Sequence, residues 1–167
     1  KKVSLALDNL IRTQFPTDTL RIVGFSTYAR EVKPEDLAYL SWDDFDPYTN
    51  IQHGLLLARK LLGRRKGSNK QILLISDGEP TAHIENGELF SQYPSHSRTI
   101  VETLNEVRRC SRMGIMINTF MLDRSNNLIE FVDRMARISR GRVFYTTPDK
   151  LGNYILVDYI TTRRWLV

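Results

Sequence analysis

From Gln71 to Thr146 the chain alternates short apolar runs with longer stretches of helical periodicity, and this alternation restricts its fold more than any other feature. Gln71 to Ser76 carries the unbroken apolar run Ile72 to Ile75 and closes on Asp77-Gly78, the pattern of a strand buried on both faces that stops at a turn. After a polar stretch the pattern predicts a helix over about Thr99 to Arg112, a strand over Gly114 to Leu122, a helix over about Asn127 to Ser139 and a strand over Arg142 to Thr146. Strands alternating with helices through short connections imply a mainly parallel sheet with helices on both faces, an α/β fold. Ligands of such sheets bind beyond the carboxyl ends of the strands. The loops after Phe25, Ile75 and Leu122 are therefore where function is sought.

The first half reads less regularly. Lys1 to Gln14 has a helical apolar face in Val3, Leu7, Leu10 and Ile11, with no capping residue before it. Residue 1 is Lys, so the chain is expected to begin inside an element, as an excised piece or a fragment of a longer product. Pro16 and Asp18 mark a turn, and Leu20 to Phe25 and Ala29 to Val32 read as two strands forming a hairpin at a sheet edge. Pro34 to Thr49 reads as a loop with the aromatics Trp42, Phe45 and Tyr48, whose default role is to anchor that loop on the core. Apolar residues at 51, 55, 58 and 62, with Gly63 just past them, predict a helix over Ile51 to Leu62. At the far end Leu151, Tyr154, Ile155 and Asp158 suit a helix, although Tyr154 to Ile160 also has strand-like composition; helix is preferred.

Composition sets outer bounds. A length of 167 residues suits one domain, taken as residues 1–167, and the 41% hydrophobic and 26% charged content is that of a globular chain. The longest apolar runs fall far short of the roughly 18 residues that span a bilayer, so no membrane association is expected. Cys110 has no second cysteine to pair with and reads as a packed or half-exposed thiol, which points to a cytoplasmic setting. The net charge of +5 raises nucleic acid as a partner. Arg59, Lys60, Arg64, Arg65 and Lys66 fall in and after a helix's last turn, where cations complement the dipole, and no aromatics are interleaved among them. A solvated face is preferred to a phosphate-binding patch, and no nucleic acid partner is expected.

Two short segments carry chemistry. Ser76-Asp77-Gly78-Glu79-Pro80-Thr81-Ala82-His83 places a carboxylate at a strand's end, with a glycine that allows close backbone approach, which suits a hard divalent cation. Taken alone, Asp-Gly is also a common turn dipeptide. Tyr48-Thr49-Asn50 precedes a helix at the same rim, and Thr49 alone would read as an ordinary N-cap. Together, a helix, a strand ending Gly24-Phe25-Ser26, Thr49-Asn50 before a helix, and an apolar strand ending Ile75-Ser76-Asp77-Gly78-Glu79 resemble the von Willebrand factor A family. The likeness covers nearly the whole chain.

That resemblance implies a three-layer, Rossmann-like fold and a metal-ion-dependent adhesion site fed by three loops. Thr49 and Asp77 match two of them; the third, Asp-x-Ser-x-Ser on the first and central strand, does not occur in this chain. By analogy that strand would lie just before Lys1 and between the strands ending at Phe25 and Ser76. Without it the isolated chain is expected to be poorly stable and to bind metal weakly, while the complete domain holds one Mg²⁺ or Mn²⁺. The implied mechanism is coordination without turnover: Thr49 and Asp77 hold the ion and a partner's Asp or Glu completes its shell. Ser26, Asn50, Gly78, Glu79 and His83 are candidate partner contacts. The stretch Ile75 to His83, with the later Thr119-Phe120-Met121-Leu122-Asp123 and Gly141-Arg142-Val143-Phe144-Tyr145-Thr146-Thr147-Pro148, is similar to cytoplasmic bacterial CoxE-like and magnesium-chelatase D-subunit-like members. This implies a MoxR-type AAA+ ATPase as partner in assembling or metallating a client complex.

Rival constellations are weaker. Glu35, Asp36, Asp43, Asp44 and Asp46 read as a solvated loop, and no Gly sits where an EF-hand needs one. His83-Ile84-Glu85 lacks the cysteines of a zinc deaminase, and His83 reads as an exposed loop residue. No Gly-x-Ser-x-Gly elbow or Gly-x-Gly-x-x-Gly turn is present, and an enzyme is not expected. The least implausible enzyme is a metal-dependent phosphoryl hydrolase using Asp77 and Asp123, although Asp123 reads more simply as the start of a turn. A metal-free structural scaffold is the remaining alternative.

Overall fold

The computed structural model describes residues 2–39, 47–64 and 69–164. In chain order the elements are α1 (Lys2–Gln14), β1 (Ile22–Phe25), β2 (Ala29–Val32), a 3-10 turn (Pro34–Ala38), α2 (Ile51–Gly63), β3 (Lys70–Ser76), β4 (Ala82–Glu85), β5 (Glu88–Ser91), α3 (Ser97–Arg112), β6 (Ile115–Met121), α4 (Asn126–Ser139), β7 (Val143–Tyr145) and α5 (Leu151–Arg164). The predicted elements are all present, and the ambiguous C-terminal segment is helical. Trp42, Asp43, Asp44, Phe45, Asp46, Arg65, Lys66 and the Val3 side chain, singled out above, lie outside the described residues.

The central block is a parallel sheet ordered β3-β6-β7, with Lys70 opposite Ile115 and Thr119 opposite Val143. Side chains alternate between its faces because strand residues point in opposite directions in turn. Leu74, Ile115, Ile117 and Met121 face a core closed by α2, α3 and α4. Phe120 and the half-buried Leu73, Ile75 and Phe144 face a second core closed by Leu7 and Ile11 of α1 and Leu151 and Ile155 of α5. This is the expected three-layer α/β arrangement. Close approach within this sheet has one strict requirement: just before β7, in register with β6, a Cβ on Gly141 would lie 1.7 Å from the Ile117 carbonyl oxygen.

β1 and β2 form an antiparallel hairpin, as expected, but it is a separate sheet. Among the described residues no ladder joins β1 to β3, so each has an unpaired edge. As expected, both faces of β3 are covered, Leu74 by the first core and Leu73 and Ile75 by the second, and among the described residues what stays open is its edge. Only Leu74 and Ser76 are buried along β3, whereas every residue of β6 except Met116 is buried, because β6 has a strand on each side and β3 on one.

Two further differences have local causes. The polar stretch after Gly78 contains the hairpin β4-β5, turning on Asn86 (φ 52°) and Gly87 (φ 85°), the paired positive φ values that a two-residue hairpin turn needs. Gly63 lies inside α2 rather than beyond it, with Arg64 as C-cap; a Cβ there would sit 3.1 Å from the Met113 methyl.

Candidate functional site

β1 and β3 end at the same rim, and a cavity of about 230 Å³ separates them. Its wall includes Val23, Phe25 and Ser26 from β1 and its end, Tyr48 and Thr49 from the loop before α2, and Ile75 and Asp77 from β3 and its end. The fold thus brings Thr49 and Asp77, 28 positions apart in sequence, to one opening.

Each is presented by local hydrogen bonding. The Ser76 hydroxyl donates to the Gly78 carbonyl at 3.2 Å and lies 3.4 Å from the Gly78 amide, which shapes the turn and leaves Asp77 exposed. The Thr49 amide donates to the Thr81 hydroxyl at 2.8 Å, and the Thr49 carbonyl accepts from the Thr81 amide at 2.9 Å. Thr49 is therefore fixed by its backbone. Among the described residues no hydrogen bond or ion pair engages the Thr49 hydroxyl or the Asp77 carboxylate.

The N-cap of α2 is Asn50, not Thr49: the Asn50 side chain accepts from the His53 amide at 2.9 Å and donates to the Thr27 carbonyl at 2.9 Å. Its backbone amide donates to the Ser26 carbonyl at 2.7 Å. Asn50 is 0% exposed. It ties the β1-β2 turn to α2 and has no surface to offer a partner.

His83 also departs from expectation. It lies on β4, 0% exposed, with Nδ1 3.0 Å from the Thr99 hydroxyl and its ring 5.0 Å from that of Phe90. Packed between Thr99 of α3 and Phe90 of β5, it is neither an exposed loop residue nor accessible to a partner. Burial lowers its pKa more than Glu85 and Glu102 raise it. Ser26, Gly78 and Glu79 remain partly exposed at the rim. A Cβ on Gly78 would meet nothing within 4 Å, so the chain's own packing does not require glycine there. Asp123 is exposed, accepts the Arg124 amide at 2.7 Å, and is not part of the cavity wall that holds Asp77.

Sequence reasoning missed the residues that position these loops. Thr81 is one; Gln52 is another, its side chain donating to the Ile84 carbonyl at 3.1 Å and accepting the Ile84 amide at 3.2 Å. Gln52 thereby pairs α2 with β4 as a strand would. The Asn86-Gly87 dipeptide was the available signal for the hairpin; for Gln52 there was none.

A model of the Rv0959-like protein family, vWA domain, matches residues 1–160. The chain belongs to this vWA domain family. Uncharacterized proteins Rv0959 of Mycobacterium tuberculosis and Mb0984 of Mycobacterium bovis are each 37% identical to it over 169 residues. The match takes in 98% of this chain and 25% of each relative, so the chain spans about a quarter of their length. The structure resembles the D319A mutant of the PilB minor pilin from Streptococcus sanguinis, with a TM-score of 0.68, 16% identity and coverage of 96% of this chain and 52% of that one. That likeness bears on the fold alone. vWA domains mediate protein–protein interactions, and this chain is a domain of that type. Among the described residues no helix is long and apolar enough to cross a membrane.

A divalent cation fits the rim in kind and falls short in number. The Thr49 hydroxyl and Asp77 carboxylate are the hard oxygen donors that Mg²⁺ prefers, but it takes about six. Among the described residues no cluster of three His, Cys, Asp or Glu could hold a metal.

Proposed function

We propose that this vWA domain binds a protein partner through a Mg²⁺ or Mn²⁺ ion held by Thr49 and Asp77, once a strand occupies the gap between β1 and β3 and supplies the missing oxygen ligands. One observation carries the reading: two unengaged side-chain oxygens from different loops share the wall of a cavity bordered by the unpaired edges of β1 and β3. When bound, the ion would offer an open position to an Asp or Glu of the partner. Thr81 would hold Thr49 in place, the turn at Ser76 would present Asp77, and the open space at Gly78 would admit the partner's backbone. A MoxR-type AAA+ ATPase is the partner proposed, in a cytoplasmic assembly or metallation role.

Mn²⁺ binding to the protein, read by electron paramagnetic resonance, and co-purification with the ATPase in Mg²⁺ or in chelator test the reading. Asp77→Ala and Thr49→Ala are each expected to lower metal affinity at least about tenfold and to abolish metal-dependent capture. Capture that survives both the chelator and Asp77→Ala would overturn it in favour of a metal-free scaffold. That second reading is favoured by the single carboxylate on the described cavity wall. The hydrolase built on Asp77 and Asp123 has less support, since these residues do not share a wall.

A further inference from the structure

Glu106 of α3 is a buried carboxylate, 0% exposed at its side chain, gripped by Arg59 of α2 and, at 2.8 Å, by Arg109 one turn along its own helix. Met113, the C-cap of α3, adds a second contact: its sulfur lies 3.9 Å from the Arg59 guanidinium. The last turns of α2 and α3 are thereby joined side by side, and their cations become one surface. Arg59 to Arg64 and Glu106 to Met113 together hold Arg59, Lys60, Arg64, Arg108, Arg109 and Arg112 against the single acid Glu106. The surplus of five equals the net charge of the entire chain, +5. Lys60, Arg64, Arg108 and Arg112 are exposed, and none makes an ion pair among the described residues. The sequence alone shows two separate helix ends with ordinary cations; Glu106 makes them a single patch.

This patch is remote from the rim. It lies at the other end of α2 from Asn50, and 13 helical residues span about 20 Å. We infer that it is a second docking surface, independent of Thr49 and Asp77, for an acidic segment of a protein partner. Both helices turn their carbonyl ends toward it, so it lacks the backbone N–H groups with which helix N-termini bind phosphate. Neither Arg59 to Arg64 nor Glu106 to Met113 contains an aromatic residue on which a nucleic acid base would stack. What it offers is exposed guanidinium forks, whose paired N–H groups match carboxylates.

The test is fluorescence anisotropy of a labelled glutamate-rich peptide with the protein. The peptide is expected to bind at low ionic strength, to weaken as salt screens the patch, and to lose about tenfold or more in affinity in R64E/R108E/R112E. A control with the same charge change placed elsewhere, R30E/K33E/R134E, is expected to stay within about twofold of the native protein. Should the reversal variant melt early, R64Q/R108Q/R112Q provides the same comparison. Absence of peptide binding at low salt, equal losses in patch and control variants, or tighter binding of duplex DNA or of anionic lipid vesicles than of the peptide would each overturn the inference.

Discussion

Thr49 and Thr81 hold each other by reciprocal hydrogen bonds, 2.8 Å from the Thr49 amide to the Thr81 hydroxyl and 2.9 Å from the Thr81 amide to the Thr49 carbonyl. Ala82 adds its amide to the same carbonyl at 3.4 Å. The loop before α2 and the segment after β3, which carry the two candidate metal-binding oxygens, are thus one unit. Thr81→Val keeps the shape but leaves the Thr49 amide without its acceptor. It is expected to cost about 1–3 kcal/mol, while Thr81→Ser retains most of the stability. Urea midpoints check this, and equal midpoints for native protein and Thr81→Val would show that the hydroxyl contributes nothing.

Gly141 is expected to be the least replaceable glycine. An alanine Cβ 1.7 Å from the Ile117 oxygen forces backbone to move, and the neighbouring bonds resist. The Thr119 amide donates to the Arg142 carbonyl at 2.8 Å and the Arg142 amide to the Asn118 side chain at 3.0 Å. Gly141→Ala should destabilise by more than about 4 kcal/mol, placing it among the most damaging substitutions. A melting temperature within a few degrees of native would contradict the close approach.

Cys110 is fully buried, and its thiol is pushed up to about 12, by burial first and by Glu106 second. The reactive species is the thiolate, so a disulfide reagent at mildly alkaline pH should leave the folded protein unmodified and react rapidly in denaturant. Labelling of native protein at the rate of a free thiol would mean that the α3 face is open. The sequence allowed a half-exposed thiol here; the structure gives a packed one.

His83 and His53 predict the acid side of the stability profile. Both have pKa values below the ordinary 6.5, chiefly through burial. The His53 Nδ1 is moreover engaged as an acceptor by the Ala29 amide at 3.0 Å. Above the ordinary value both states are neutral and nothing changes. As pH falls below it the unfolded chain takes up protons first, so stability drops, by at most about 1.4 kcal/mol per pH unit for each histidine. His83→Gln should flatten this slope in pH-dependent urea melts, and an unchanged slope would mean that His83 is protonated in the fold.

Periodicity made α2, α3, α4 and the parallel strands legible, because an amphipathic or fully buried element writes its surroundings into its own sequence. The hairpin β4-β5 was not, although Asn86-Gly87 was in view, since His83 and Thr81 are buried polar residues that read as solvent-facing. Thr49 and Asp77 were legible from their place beside strand and helix ends. What supports them was not: Thr81 and Gln52 act across 32 positions through side-chain hydrogen bonds, and nothing periodic marks a contact of that kind. The basic corner was half visible, since pairing the cations of α2 with those of α3 depends on where Glu106 sits.

The missing ladder between β1 and β3 also divides the domain in the order of its opening. Among the described residues β1 and β2 meet α2 by the Asn50 amide to Ser26, the Asn50 side chain to Thr27, the Ala29 amide to His53, and the packing of Phe25 on Gly54, where a Cβ would sit 3.1 Å from the ring. A hairpin fastened by a few side chains forms a smaller cooperative unit than a strand laddered on both sides. Its amides should exchange with solvent well before those of Ile117 to Phe120 on β6. The side of the rim that carries Ser26 is then expected to open before the side that carries Asp77.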